Sequence, residues 1–94
     1  MTHIFVRHRV NDYPAWKKVF DEFVDTRRAM GEKSFQVLQK DEDTNNIFLV
    51  FTWDSAENAR KFFDSEKLKE TMGHAGVAEK PDINFVSEAD HGVL

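Results

Sequence analysis

Cysteine is absent from the sequence. Its absence excludes disulfides, thiolate nucleophiles and thiolate metal ligands, and it is typical of the reducing cytoplasm, where we expect the protein to be. Positive charge is also scarce, since 13 lysines and arginines against 17 aspartates and glutamates give a formal net charge of −4. Nucleic acids and anionic membranes attract basic proteins. The charge balance therefore predicts that neither of them is a partner.

Long apolar runs are missing too. No stretch approaches the roughly 20 apolar residues of a membrane-spanning helix, and the start Met1-Thr2-His3 is not typical of a signal peptide. The chain of 94 residues has room for one small core, because single domains mostly contain about 100–150 residues. We predict a single domain over residues 1–94, in which residues 89–94 form a loose tail.

Aromatic residues, in contrast, are abundant: nine Phe, two Trp and one Tyr. Apolar residues that alternate with polar ones predict strands, and apolar residues that recur every three or four positions predict helices. Asp12 is the expected cap of the first helix and Gly31 its end. Residues 41–46 are predicted to form a polar hairpin loop, in which Asn45 and Asn46 tolerate positive φ. The full pattern predicts strands at 2–10, 34–40, 47–53 and 82–88, and helices at 13–30 and 54–73, the second with a break near Ser65.

The order of these elements is strand, helix, strand, strand, helix, strand, which is typical of the ferredoxin-like α+β fold. In this βαββαβ arrangement a four-stranded antiparallel sheet carries both helices on one face, and its first and third strands are central. The least regular alternation occurs in strands 2–10 and 47–53. Strands covered on both faces have this character, so the pattern supports the topology.

The predicted helices leave the other face of the sheet without a cover. Strand 47–53 is apolar on both sides, and Phe5 and Phe35 add to the apolar surface. A large exposed apolar patch is uncommon in soluble monomers. We therefore predict a homodimer that associates sheet to sheet through a two-fold contact.

Four histidines are the groups that titrate near neutrality. His8 is predicted on the helix side of its strand, and His74 follows the second helix beside Gly73 and Gly76. Each histidine has two interpretations. It is either a structural imidazole, at the edge of the core or in solvent, or a catalytic acid or base at a pocket. His3 and His8 point to opposite faces of one strand and cannot share a metal ion.

Metal-binding patterns are otherwise weak. Residues 41–45 begin like a calcium loop, but the sixth position is Asn46 where the motif has Gly, and the twelfth is Thr52 where it has Glu. We therefore predict no metal site.

A set of aromatic side chains is predicted to converge between the sheet and the helices. Taken singly, each is explained by core packing. Taken together, with His8 and His74 at the rim, they suit a flat apolar ligand in a small pocket. The predicted pocket walls are Trp16, Phe20, Trp53 and Phe62.

The element order, the run IFLVFTWDSAENARKFFDS and the segment 67–81 resemble the small antibiotic-biosynthesis-monooxygenase-like proteins of the dimeric α/β-barrel superfamily. The resemblance implies a homodimer whose two sheets form a barrel, with a ligand pocket between sheet and helices in each subunit. It also implies a cofactor-independent monooxygenase or a polyketide-cyclase-like enzyme, working without a cofactor on an apolar aromatic compound.

Two alternatives stay open beside this enzyme hypothesis. One is a ligand-binding or interaction dimer without catalysis, and the other is a protein that binds or degrades haem through His74. The haem degraders use an Asn in the first strand and a Trp in the second helix. This sequence has no Asn before Asn11 and has Phe62-Phe63 in the helix, which weighs against haem cleavage.

Overall fold

Four antiparallel strands form one sheet in the order β2 (Glu32–Lys40), β3 (Asp43–Trp53), β1 (Thr2–Arg9) and β4 (Asp82–Val86). The computed structural model describes residues 2–94. Strands β1 and β3 are central and the helices cover one face, so the predicted ferredoxin-like α+β fold is confirmed. The elements are β1 (Thr2–Arg9), α1 (Tyr13–Glu22), α2 (Val24–Ala29), β2 (Glu32–Lys40), β3 (Asp43–Trp53), α3 (Ala56–Phe63), α4 (Glu66–His74) and β4 (Asp82–Val86).

Alternation in the two central strands puts one set of side chains beneath the helices. Because successive residues of a strand point to opposite faces, Ile4, Val6 and His8 share the helix face of β1. They pair in register with Phe51, Leu49 and Ile47 of β3. All six are buried, and together they form the floor of the core.

The predicted helix 13–30 is two helices in the structure. Phe23 interrupts it with φ −88° and ψ 2°, and its N–H is shared between the carbonyls of Val19 and Phe20, at 3.1 and 3.3 Å. The guanidinium of Arg27 in α2 donates to the Phe20 carbonyl oxygen at the end of α1. A single non-helical residue barely shifts the apolar stripe, which is why periodicity alone predicts one helix.

The hairpin between β2 and β3 is shorter than predicted. Its turn comprises Asp41 and Glu42, and the positive φ, 67°, is found at Glu42 and not at Asn45 or Asn46. Asn45 lies in β3, where its side-chain oxygen accepts from the Tyr13 N–H at 2.8 Å. The polar residues that resemble a loop therefore extend the strand and tie it to the start of α1.

The second half of the chain largely follows the prediction. Ser55 caps α3 and Ser65 caps α4, and the predicted break near Ser65 separates the two helices. Helix α4 continues through Gly73, and the positive φ of 77° falls at Gly76. Strand β4 ends at Val86, two residues earlier than predicted, and residues 87–94 are exposed without helix or strand.

The sheet face away from the helices carries exposed apolar side chains. Phe5, Leu38 and Val86 are 40%, 42% and 43% exposed. Phe35 was predicted on this open face, which is wrong: it is in register with Phe51 on the helix face, and its ring lies edge-on to Phe20 with 5.2 Å between centroids. Within residues 2–94 no helix is long and apolar enough to cross a membrane.

Candidate active site

A cavity of about 70 Å³ lies between the helix face of the sheet and the helices. Its lining is apolar except for three side chains, His8, Arg27 and Thr71. Thr71 is already satisfied, because its hydroxyl donates to the Lys67 carbonyl at 2.7 Å. Apolar walls come from every helix but α2, including Trp16, Phe20, Phe62 and Met72.

His8 is the histidine of this cavity, and the ordinary pKa of an imidazole lies close to neutral pH. Alternation along β1 places it on the helix face, where it is 5% exposed and its ring lies 5.5 Å from that of Trp16. Neither ring nitrogen has a hydrogen-bond partner among the described residues. Burial lowers the pKa of His8 to about 4. The imidazole is therefore neutral at pH 7 and has a free lone pair.

Arg27 is the second polar group of the cavity and belongs to a buried ion pair. Its Nε donates to both carboxylate oxygens of Glu32, at 2.9 and 3.1 Å, and its guanidinium stacks 3.8 Å from the centre of the Phe20 ring. Burial raises the pKa of Glu32, and the charge of Arg27 opposes that rise. The pair fastens α2 to the start of β2 directly beside the cavity wall.

Sequence reasoning missed this ion pair. Arg27 falls on the apolar stripe that also contains Trp16, Phe20 and Phe23. A charged residue on the buried face of a helix needs a partner, so its position was a usable signal. Nothing in the sequence identifies Glu32 as that partner, because Glu32 directly follows Gly31 and resembles an exposed loop residue.

Three of the predicted wall residues do line the cavity. Trp16 and Phe20 are stacked on α1 with 4.9 Å between ring centroids, and Phe62 reaches the same space from α3. The structure thus brings these three aromatic rings together with His8.

The other two predicted site residues lie elsewhere. Trp53 is fully buried beneath Phe62, and its indole N–H donates to the Met30 carbonyl at 2.9 Å, so it fastens the end of β3 to the end of α2. His74 is exposed at the end of α4, beside Glu22 and Glu70 in a shallow outer groove. The structure therefore does not place His74 with His8.

The cavity is small for an aromatic ligand. A dry cavity of about 150 Å³ is known to hold benzene, roughly twice the volume found here. Binding of a ring therefore requires wall side chains to move. Met72, half-buried on α4, is the most adaptable of them, because its unbranched side chain has three rotatable bonds.

Metal-binding geometry is absent from the described part of the chain. Between residues 2 and 94 no group of three or more His, Asp or Glu side chains is placed to hold a metal ion.

No family model and no curated protein matches the amino-acid sequence. Solved structures do match its fold. SnoaB, a cofactor-independent oxygenase from Streptomyces nogalater, superposes with a TM-score of 0.79 at 11% identity over 96% of this chain and 94% of that chain. A solved antibiotic biosynthesis monooxygenase gives a TM-score of 0.73 at 8% identity, over 96% of this chain and 100% of that chain.

Rv0793 from Mycobacterium tuberculosis is a third match, with a TM-score of 0.70 at 13% identity over 98% of both chains. The chain thus has the fold of the antibiotic-biosynthesis-monooxygenase-like proteins, and the resemblance inferred from the sequence is confirmed at the level of the fold. Identities this low show the shared fold alone.

Proposed function

We propose that this protein is a small-molecule enzyme, a cofactor-independent monooxygenase that acts on an apolar aromatic compound with His8 as its proton acceptor. The proposal depends on a neutral imidazole, which is buried without a hydrogen-bond partner among the described residues in the wall of a mostly apolar cavity. The fold shared with SnoaB, a cofactor-independent oxygenase, supports the same reaction class.

The proposed reaction begins with proton transfer from a CH₂ group of the substrate to His8. The electron pair left behind is delocalised over the aromatic system, and the resulting carbanion reduces dioxygen. One oxygen atom becomes a carbonyl oxygen on the former CH₂ carbon, and the other leaves as water. The substrate supplies all the electrons, so the protein contributes orientation, exclusion of water and proton transfer.

His8 is a weak base in the empty cavity, because burial disfavours its charged form. Proton transfer places an imidazolium directly beside a newly formed anion. Opposite charges at close range in a poorly solvated site stabilise each other, which raises the pKa of the imidazole as the reaction proceeds. The apolar walls thus disfavour an isolated imidazolium in the empty cavity, but they strengthen its attraction to the substrate carbanion.

Oxygen uptake with a panel of anthrones and related polyketides tests this proposal. We expect His8→Leu to lower the rate at least about 100-fold, in line with the loss of a general base. His74→Ala is the matched variant, and we expect a change of less than about twofold because His74 lies outside the cavity. Ring closure of a polyketide without oxygen uptake, dependent on His8, would instead show a cyclase.

Turnover that is equal in wild type and His8→Leu contradicts the proposed role of His8. If compounds of the panel bind without any turnover, the proposed enzymatic activity is contradicted, and the result favours a ligand-binding protein.

We also propose that the protein is a homodimer that associates through the open sheet face. The exposed side chains of Phe5, Leu38 and Val86 support it, because apolar patches on a sheet face are characteristic of interfaces. In sedimentation equilibrium at micromolar concentration we expect twice the 11.0 kDa mass of the chain.

Phe5→Lys should yield the monomer, because the dimer interface would bury the unpaired charge of the introduced lysine. Val93→Lys, in the exposed tail, should leave the mass unchanged. A wild-type mass of 11.0 kDa would contradict the dimer.

A further inference from the structure

Arg27 has one set of N–H donors that the protein does not use. A guanidinium carries five N–H groups on Nε, Nη1 and Nη2. Nε is taken by Glu32 and Nη1 donates to the Phe20 carbonyl oxygen. Nη2 is buried and has no hydrogen-bond partner among residues 2–94. Buried donors are almost always paired, so this atom requires an explanation.

The position of Arg27 suggests what the partner is. Arg27 lines the cavity, whereas Glu32, which accepts from its Nε, does not. Both side chains are nearly inaccessible to solvent, at 3% and 5% exposure. A ligand that enters the cavity can bring an oxygen to Nη2 in place of a buried water.

The charges around Arg27 determine which kind of ligand oxygen can accept a hydrogen bond from Nη2. The positive charge of Arg27 is balanced by the carboxylate of Glu32, and His8, the other titratable side chain of the lining, is neutral. A carboxylate ligand would add a second anion to a single buried cation, which is costly in a poorly solvated site. An uncharged carbonyl oxygen accepts the hydrogen bond without adding charge.

We propose that the cavity selects an uncharged ligand with a carbonyl oxygen over a carboxylate, and that the Arg27–Glu32 pair sets this selection. The inference rests on the ligand site proposed above. Arg27 acts as the hydrogen-bond donor to the ligand, and Glu32 acts as the residue that prevents Arg27 from attracting anions.

Three molecules of nearly the same shape test the wild-type protein directly. Acetophenone carries a carbonyl oxygen, α-methylstyrene replaces that oxygen with CH₂, and benzoate replaces the methyl group with a charged oxygen. Dissociation constants are measured at pH 7 by NMR titration of the protein. We expect acetophenone to bind at least about fivefold more tightly than either of the others, because a hydrogen bond from a charged donor contributes strongly once desolvated.

Glu32→Gln converts the neutral pair into a buried cation. The amide oxygen of Gln still accepts from Nε, but the charge of Arg27 is no longer balanced. We expect the affinity ratio of benzoate to acetophenone to rise at least about tenfold. Glu22→Gln is the matched control, since it removes the same charge from an exposed position outside the cavity lining, and its ratio should equal that of wild type.

The outcomes separate this inference from the function on which it rests. Equal binding of acetophenone and α-methylstyrene, or benzoate binding as tightly as acetophenone, overturns the selection while leaving the ligand site intact. If no aromatic probe binds, the proposed function fails as well. Should Glu32→Gln not fold, the three wild-type affinities decide the question without it.

Discussion

Replacing Arg27 with Met is expected to lower the free energy of unfolding by about 3–5 kcal/mol, the usual cost of breaking a buried ion pair from one side. The variant leaves the carboxylate of Glu32 buried without its cation, and the Phe20 carbonyl at the α1–α2 junction loses its donor. Urea denaturation at one fixed protein concentration measures the change, because the stability of an associating protein depends on concentration.

Two further variants isolate the cause. Lys17→Met removes the exposed pair of Lys17 with Asp21, and we expect a loss within about 1 kcal/mol. The double variant Arg27→Met with Glu32→Leu removes both buried charges, so it should recover most of the lost stability. A loss below about 1 kcal/mol in Arg27→Met, or no recovery in the double variant, would contradict this role of the pair.

Acidification is expected to destabilise the protein through His8. The pKa of His8 is about 4 in the folded protein, against an ordinary value of 6.5. Below pH 6.5 the unfolded chain therefore binds a proton that the folded protein refuses, so stability falls as the pH drops toward 4 and levels off below it. The shift corresponds to about 3 kcal/mol between pH 7 and pH 4.

The contribution of His8 is obtained by difference, since Asp43 and Glu32 also have shifted pKa values. Unfolding free energies of wild type, His8→Leu and His91→Leu are compared from pH 7 to pH 4. His8→Leu should lose less stability than wild type over this range, whereas His91→Leu, exposed in the tail, should follow wild type. Parallel curves for wild type and His8→Leu would show that the imidazole is accessible to protons in the folded state.

Much of the fold could be predicted because strand alternation and helix caps are local signals. The alternation of β1 assigned Ile4, Val6 and His8 to one face, and that face is the one beneath the helices. Asp12 caps α1 through the Ala15 N–H, as its position before Pro14 suggested. The central position of β1 and β3 followed from topology.

What the sequence could not reveal depends on contacts between distant residues. The alternation of β2 puts Phe35 and Val37 on the same face, but only the pairing with β3 shows which face that is. Trp53 and Phe62 are both aromatic and both buried, yet one is fastened to the Met30 carbonyl and the other lines the cavity. Arg27 and Glu32 become a site only once the turn at Gly31 brings them together.

We expect the ligand to bind in the cavity at His8. Nuclear Overhauser effects between bound acetophenone and the protein test it most directly. We predict contacts from the acetophenone protons to the ring protons of His8 and Trp16, which share the cavity. Contacts confined to Phe5 and Val86 on the open sheet face would contradict the claim, because they would place the ligand on the opposite side of the sheet.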